Sequence, residues 1–293
     1  MLKRIITALV LLCIFVPALV FSYTVVFPIA AIFLSFIGVF EMLKCLGFGN
    51  SKSVMIPSLL LAILIPLGTI TFYYEIPGIP ANLQGFLTLS FSCCFFYMLY
   101  MFAAGLVFRG TRRFSDIATS ILMVLYVIFC FTSIVLLRQQ TNGVFLVYLV
   151  FVCPLLTDVF AYFTGVFLGR HKLLPEISPK KTVEGCIGGT VFGSLSCLLF
   201  GFIVSKIAGA FPAAFDLLTP NYVVLGVNGL IVSIFSQVGD LTTSWIKREH
   251  GVKDYGKIFP GHGGVMDRFD SVLLTAPIIL LFSTFTGSLA MFW

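Results

Sequence analysis

Residues 143–169 have the sequence GVFLVYLVFVCPLLTDVFAYFTGVFLG, a run of 27 residues in which Asp158 is the one charged side chain. A membrane-spanning helix needs about 20 mostly apolar residues, so this stretch is long enough to cross a bilayer. The rest of the chain has the same character, because 59% of its 293 residues are hydrophobic and 10% are charged, whereas soluble domains carry about 25% charged residues. These numbers exclude a soluble globular protein and predict an all-α, polytopic integral membrane protein.

Similar apolar runs recur along the chain and predict about nine transmembrane helices. They lie near residues 5–21, 23–43, 54–74, 84–108, 115–137, 143–169, 186–207, 221–240 and 271–292. A single helix through the first two runs would be about 55 Å long, too long for one crossing of a ~30 Å hydrocarbon layer, so we expect a tight hairpin there. Since no small-residue cleavage site follows the first run, we expect it to stay attached.

The cationic side chains indicate the orientation of these helices. With the N-terminus in the cytoplasm, 16 of the 18 Lys and Arg residues fall on the cytoplasmic side, all except Arg138 and Lys206. Because cytoplasmic loops of membrane proteins are enriched in Lys and Arg, we expect a multi-pass protein of the inner (cytoplasmic) membrane with its N-terminus inside. The same bias accounts for the net charge of +6, and we expect no nucleic-acid partner.

Acidic residues concentrate in the second half of the chain. Residues 1–140 contain three and residues 141–293 contain nine. This distribution predicts an N-terminal set of transmembrane helices at 1–140 and a C-terminal catalytic half at 141–293, with cytoplasmic loops at 170–185 and 241–270.

Asp158 lies well inside its apolar run, where a carboxylate costs roughly 3 kcal/mol unless it faces a partner or a cavity. Tyr162, Gly165 and Gly169 follow at helical spacing, so a polar pair continues into a strip without side chains. Another helix or a ligand could approach along this strip. Asp158 and Tyr162 are therefore candidate binding residues, and a structural hydrogen bond between helices is the alternative for Asp158.

A basic segment with hydroxyl groups follows at residues 177–185. Ser178 before Pro179 resembles a helix N-cap with proline at the first helical position, and such a terminus suits a phosphate. The candidate contacts are Ser178, Lys180, Lys181 and Thr182. Charges that simply flank a membrane helix would explain the lysines equally well.

The densest group of ionisable residues lies between residues 239 and 270. If the eighth helix continues past the membrane, one face of it combines a carboxylate with cations that could neutralise phosphates. That face carries Asp240, Ser244, Lys247 and Arg248. Carboxylates are the ligands that Mg²⁺ prefers, and no pair of His or Cys has zinc spacing here. We therefore expect Mg²⁺, with Asp240, Asp267 and Asp270 as its ligands.

The loop between these acids is rich in glycine, as a close approach of backbone to phosphate requires. Its glycines are Gly256, Gly261, Gly263 and Gly264. His262 lies among them and could be a general base, a hydrogen-bond donor to phosphate or a structural loop residue.

Residues 244–270 as a whole resemble a known signature. They contain Ser244-Trp245-Ile246-Lys247-Arg248, Lys253-Asp254-Tyr255-Gly256, Phe259-Pro260, His262-Gly263-Gly264-Val265 and Asp267-Arg268-Phe269-Asp270. This order is similar to the signature of the phosphatidate cytidylyltransferases, also called CDP-diacylglycerol synthases. Segments 158–169 and 178–185 are also similar, so the resemblance covers about the C-terminal half.

The resemblance implies an enzyme that joins cytidine monophosphate from CTP to phosphatidic acid in the bilayer and releases pyrophosphate. The residues to which it implies a catalytic role are Asp240, Lys247, Arg248, His262, Asp267 and Arg268. The candidate substrate-binding residues are Asp158, Tyr162, Ser178, Lys180, Lys181, Thr182, Ser244, Lys253, Gly263 and Gly264. The Mg²⁺ site at Asp240, Asp267 and Asp270 is similar to the one proposed for this family.

Two other classes of protein fit parts of the sequence. An ion-coupled or proton-coupled transporter would also place Asp158 and Asp240 in membrane helices, but it gives no reason for cations and a glycine loop to cluster on one side. A CTP-dependent lipid kinase would use the same nucleotide and transfer the γ-phosphoryl group. The sequence leaves the oligomeric state open, with a homodimer as one candidate.

The predicted orientation can be tested by cysteine labelling in intact cells, after the native cysteines have been replaced. A cysteine introduced at residue 112 should be shielded from an impermeant thiol reagent, because that residue is expected to face the cytoplasm. A cysteine at residue 79 should react. Labelling in the reverse pattern would contradict the orientation.

Overall fold

The computed structural model describes residues 17, 19–72, 83–107, 112–140, 142–210, 220–259, 261 and 263–285. Within these residues, eight helices are long and apolar enough to cross a membrane. This confirms the predicted all-α, multi-pass class. The predicted first span, near residues 5–21, lies almost entirely outside the described residues.

The chain divides into two compact units, each made of two segments. The first unit comprises Met1–Gln139 and Glu249–Phe269, and the second comprises Gln140–Arg248 and Asp270–Trp293. The segment Glu249–Phe269 therefore packs with the N-terminal helices, although it follows the second unit in the sequence.

Four helices form most of the described part of the first unit. They are α1 (Val26–Cys45), α2 (Lys52–Gly68, followed by a 3₁₀ turn at Thr69–Phe72), α3 (Leu83–Val107) and α4 (Phe114–Arg138). Helix α1 packs against α2 and α4. Gly38 permits the contact with α4, because a Cβ atom there would meet the side chains of Val127 and Phe131. A buried hydrogen bond of 2.9 Å between Ser58 Oγ and Tyr97 Oη joins α2 to α3.

The second unit contains three long helices, a short hairpin and most of the last helix. Its elements are α5 (Gly143–Leu168), β1 (Lys172–Leu174), β2 (Ser178–Thr182), α6 (Val183–Ala210), α7 (Tyr222–Glu249) and α8 (Met266–Phe285). Helix α8 begins in the first unit at Met266 and continues in the second unit from Asp270.

Small residues let α5 and α6 pack closely. Gly185 and Gly189 lie one turn apart on α6, and a Cβ atom at either would meet the backbone of α5 at Ala161 or Thr157. Such spacing of small residues is a common way for membrane helices to approach each other. One turn further, Gly193 faces both Thr157 and Ser233, so α7 also joins this contact.

The structure corrects one prediction made for residues 177–185. Ser178 does not cap a helix, because residues Ser178–Thr182 form β2, which pairs antiparallel with β1. The helix begins at Val183 instead. Thr182 is its cap, since its Oγ1 accepts a hydrogen bond from the Gly185 N–H over 3.1 Å. The strand pairing uses the backbone groups that a helix starting at Pro179 would have needed.

The packing of α5 on α6 can be tested with a matched pair of glycine substitutions. Gly189→Ala should destabilise the protein by about 1–3 kcal/mol, because its Cβ would lie 2.8 Å from Ala161 Cβ and 3.0 Å from the Thr157 carbonyl oxygen. The control is Gly226→Ala, whose Cβ would meet a flexible Leu198 side chain at 3.4 Å. The control should be neutral or more stable, because alanine favours helix. Equal melting temperatures of the two variants in detergent would contradict this packing.

Candidate active site

Helix α7 provides the first part of the site. It continues to Glu249, which confirms the predicted extension that places Asp240, Ser244 and Lys247 on successive turns of one helix. The Ser244 hydroxyl donates to Asp240 Oδ1 over 3.4 Å. Lys247 is buried, whereas Arg248 is exposed and its Nε donates to the Ile177 carbonyl oxygen. The two cations at the end of α7 therefore differ in their exposure to water.

Strand β2 brings a lysine to this carboxylate. Lys181 Nζ lies 2.6 Å from Asp240 Oδ2, and the two side chains are 23% and 24% exposed. An ion pair that is partly sheltered from water is screened less than one on the surface. Lys181, which sequence analysis proposed as a phosphate contact, is thus held directly against a proposed metal ligand.

Helices α5 and α8 add two further carboxylates. The Ser271 hydroxyl donates to Asp158 Oδ2 over 3.0 Å, and the Ser271 N–H donates to Asp270 Oδ1 over 2.9 Å. Gly239 lets α7 approach α8, because a Cβ atom there would meet the Asp270 carbonyl oxygen. Asp158 and Asp270 also lie near enough to Asp240 for the negative charges to repel one another.

We call the group formed by Asp158, Asp240 and Asp270 with Lys181 and Lys247 the charged cluster. Asp158 makes the hydrogen bond between helices that was the structural alternative for this residue, and its role as a binding residue stays a prediction. The carboxylates supply oxygen donors of the kind that Mg²⁺ prefers, and the ammonium groups can pair with phosphate. In the described part of the chain, no group of three or more His, Cys, Asp or Glu side chains has the arrangement of a metal site, so the Mg²⁺ ligands stay a prediction.

Glu184 closes the base of the hairpin that carries Lys181. Its carboxylate accepts hydrogen bonds from the backbone N–H groups of Arg170 and His171, and it lies 2.6 Å from His171 Nδ1. The Val183 N–H also donates to the His171 carbonyl oxygen. Sequence analysis did not single out Glu184, although an acid in the first turn of a helix is a recognisable signal.

The strip without side chains beside Asp158 is filled by protein. A Cβ atom at Gly165 or Gly169 would meet Thr182 Oγ1, and Gly165 also faces Gly185. Another element therefore approaches along this strip, one of the two predicted alternatives. Tyr162 is 66% exposed, and its ring packs edge-on against Phe163. Of the hydroxyl-bearing basic segment, Ser178 is half-buried and Lys180 is exposed.

The signature loop, residues 250–265, belongs to the first unit and surrounds a different carboxylate. Asp267 Oδ2 accepts hydrogen bonds from the N–H groups of Tyr255 at 2.8 Å and Gly264 at 2.9 Å. Gly263 has φ of +83°, and a Cβ atom there would collide with the Asp267 carboxylate. Two geometric requirements, a left-handed backbone and a close carboxylate, thus explain the glycine at this position.

The remaining proposed residues have separate surroundings. Lys253 and Arg268 are exposed, and His262 lies outside the described residues. The structure brings Asp240 together with Asp270 in the second unit, while Asp267 makes its contacts in the first.

Sequence analysis also missed Glu41, whose Oε2 accepts the Met266 N–H over 3.0 Å. Glu41 is also a carboxylate in an apolar run, but it lies near the end of the run at residues 23–43, where its cost is lower than that of Asp158.

The fold and the site define a class of protein: a multi-pass membrane protein in which carboxylates and lysines from several helices and a strand lie together. A family model described as the cytidylyltransferase family matches residues 2–286. The chain therefore belongs to the cytidylyltransferase family, which confirms the resemblance found in the sequence.

Three relatives show how far the similarity extends, and each is named phosphatidate cytidylyltransferase. The protein from Bacillus subtilis (strain 168) is 36% identical over 186 residues, which cover 63% of this chain and 64% of the relative. The protein from Staphylococcus aureus (strain COL) is 31% identical over 280 residues, or 94% of this chain and 96% of the relative. The protein from Staphylococcus haemolyticus (strain JCSC1435) is 31% identical over 281 residues, with the same coverage.

The role of Glu184 can be tested by limited proteolysis in detergent. Glu184→Gln weakens hydrogen bonds to a charged acceptor, so trypsin should cleave after Arg170 and Lys172 roughly tenfold faster. The control is Glu176→Gln, the same substitution at an exposed residue between the strands. Trypsin should cleave this variant at the parent rate. Equal cleavage of both variants would show that Glu184 does not hold the hairpin.

Proposed function

We propose that this chain transfers the cytidylyl group of CTP to phosphatidic acid and produces CDP-diacylglycerol and pyrophosphate for phospholipid biosynthesis. A phosphate oxygen of phosphatidic acid forms a bond to the α-phosphorus of CTP. The bond from that phosphorus to the oxygen bridging to the β-phosphate breaks, and pyrophosphate leaves. The proposal is supported by the family match over residues 2–286 and by relatives of that name aligned over 94% of the chain.

The structural observation that best supports this reaction is the ion pair of Lys181 with Asp240 in the charged cluster. Phosphatidic acid already carries a nucleophilic phosphate, so the protein needs to orient two anionic substrates and neutralise their charge. Lys181 and the buried Lys247 would contact phosphate within the cluster. Arg248 and Arg268, which are exposed, would hold outer phosphate oxygens.

The other proposed contacts follow from the same requirement. Ser178 and Lys180 on β2 and Ser244 on α7 would bind the triphosphate or the lipid headgroup, as would Lys253 in the signature loop. Thr182 would act by holding β2 at the start of α6, since its hydroxyl caps that helix. His262 remains a candidate general base, a candidate hydrogen-bond donor to phosphate or a structural loop residue.

Mg²⁺ is part of this proposal. Asp240 and Asp270 in the charged cluster and Asp267 beside the signature loop would hold it, and their oxygen-only donor set fits a hard divalent cation. When bound, Mg²⁺ would polarise the α-phosphate and balance the charge of pyrophosphate. Asp158 would remain in the cluster through its hydrogen bond from Ser271.

The chain is a multi-pass membrane protein, and we propose that its N-terminus and active site face the cytoplasm. The basis is the distribution of 16 of 18 cationic residues on one side. CTP would then enter from the cytoplasm, whereas phosphatidic acid would enter laterally from the bilayer. We propose no nucleic-acid partner, and a homodimer is compatible with this arrangement.

The decisive experiment supplies purified protein, phosphatidic acid and Mg²⁺ with CTP labelled at either the α- or the γ-phosphorus. Cytidylyl transfer should put the α-label into lipid and the γ-label into pyrophosphate. A lipid kinase would instead put the γ-label into lipid and release CDP. Absence of label from the lipid in both reactions would contradict both activities.

A substitution at Asp267 tests the metal assignment. Asp267→Asn keeps the size and an oxygen acceptor for the Tyr255 and Gly264 N–H groups but removes the charge, so activity should fall roughly a hundredfold or more. The measurement is the initial rate of lipid labelling as a function of Mg²⁺ concentration.

The matched control for this experiment is Glu249→Gln, which removes an exposed charge at the end of α7. It should keep the parent rate and the parent Mg²⁺ requirement. Normal turnover of Asp267→Asn at saturating CTP, with an unchanged Mg²⁺ requirement, would remove Asp267 from the proposed ligands.

A further inference from the structure

Glu41 is an acidic residue of the first unit that is not among the residues proposed above for the active site. It lies on α1 and is 2% exposed. A carboxylate withdrawn from water needs a compensating partner, because desolvation disfavours its charged form. The groups that contact the Glu41 carboxylate therefore indicate its role.

The first partner of Glu41 is the start of the last helix. Its Oε2 accepts the Met266 N–H over 3.0 Å, and Met266 is the first residue of α8. The first N–H groups of a helix have no partner within it, and a negative charge there is favourable. Glu41 thus caps α8 from a distant part of the sequence.

The second contact is with the signature loop itself. Gly256 and Gly264 both lie so close to the Glu41 carboxylate that a Cβ atom at either position would collide with it. A Cβ atom at Gly256 would also lie 3.0 Å from Gly264 Cα. The two sides of the loop therefore close on each other over this carboxylate, and glycine is required at both positions.

The loop held in this way also holds Asp267. Gly264, which lies against Glu41, donates its N–H to Asp267 Oδ2, and Asp267 directly follows Met266 in α8. The charge of Glu41 also interacts with that of Asp267. Movement of Glu41 would thus be transmitted to Asp267 through one hydrogen-bonded backbone segment.

A purely structural anchor does not require a charge. A leucine or methionine of similar volume would fill the space between α1 and the loop without the cost of burying a carboxylate. A carboxylate does two things that an apolar residue cannot do: it orients backbone N–H groups, and it increases the negative potential at Asp267.

We infer that Glu41 is a positioning residue for cytidylyl transfer, which fixes the signature loop and the first turn of α8 so that the Asp267 carboxylate is correctly placed. Its importance for catalysis rests on the proposed function. Its hold on the loop can be measured without any reaction.

The test is hydrogen–deuterium exchange of the purified, full-length protein, followed by kinetics. Glu41→Gln keeps the shape and removes the charge, so the amides of Tyr255, Gly264 and Met266 should exchange about tenfold faster. Glu41→Asp keeps the charge on a shorter side chain and should give an intermediate rate. In assays, the Mg²⁺ concentration at half-maximal rate should rise in Glu41→Gln and be partly restored in Glu41→Asp.

The control is Ser58→Ala, which removes a different buried polar group of the first unit, the partner of Tyr97. It should lower the melting temperature without faster exchange in residues 255–266. Unchanged loop exchange in Glu41→Gln, or a Glu41→Leu variant with the parent exchange and Mg²⁺ requirement, would overturn the inference. If the parent protein shows no cytidylyl transfer, the proposed function is refuted. Faster loop exchange in Glu41→Gln would still establish that Glu41 holds the loop.

Discussion

The arrangement of this protein depends on satisfying carboxylates that are withdrawn from water in a largely apolar chain. Their partners are backbone N–H groups, a hydroxyl group or an ammonium group, and those of Glu41, Asp158 and Asp240 come from distant segments of the sequence. The pairs are Glu41 with the Met266 N–H, Asp158 with the Ser271 hydroxyl, Asp240 with Lys181, and Asp267 with the Tyr255 and Gly264 N–H groups. These contacts join segments that are far apart in the sequence and that hydropathy alone does not predict to be neighbours.

These pairings also explain where glycine is needed. A carboxylate can reach a backbone N–H or a neighbouring helix only if no side chain stands between them. Gly239 allows α7 to reach the backbone of α8 beside Asp270, and Gly256 and Gly264 allow the signature loop to close on Glu41. The glycine-rich character of the loop therefore follows from packing against carboxylates within the protein as well as from any phosphate that it binds.

Much of the fold could be predicted from the sequence because lipid requires long apolar helices, and the runs near residues 143–169 and 221–240 correspond to α5 and α7. The hairpin could not be predicted, since Ser178-Pro179 has the pattern of a helix start and the strands depend on Glu184, which fixes their base. Ser271 carries no signal in the sequence, because a serine in a membrane helix is common. Glu41 did carry one, as a lone carboxylate in an apolar run, but its partners lie more than 200 residues away.

The ion pair of Lys181 with Asp240 also bears on how the proposed reaction could manage its charges. If an ammonium or carboxylate that is partly sheltered from water lost its partner, its charge would be left uncompensated, which is unfavourable. When Mg²⁺ and CTP are bound, Asp240 would be one of the residues that hold the metal, and Lys181 would contact a phosphate. Each group would keep a partner of opposite charge throughout. Either component alone would leave one of the two residues unpaired, and the site would therefore favour the complex over free metal or free nucleotide.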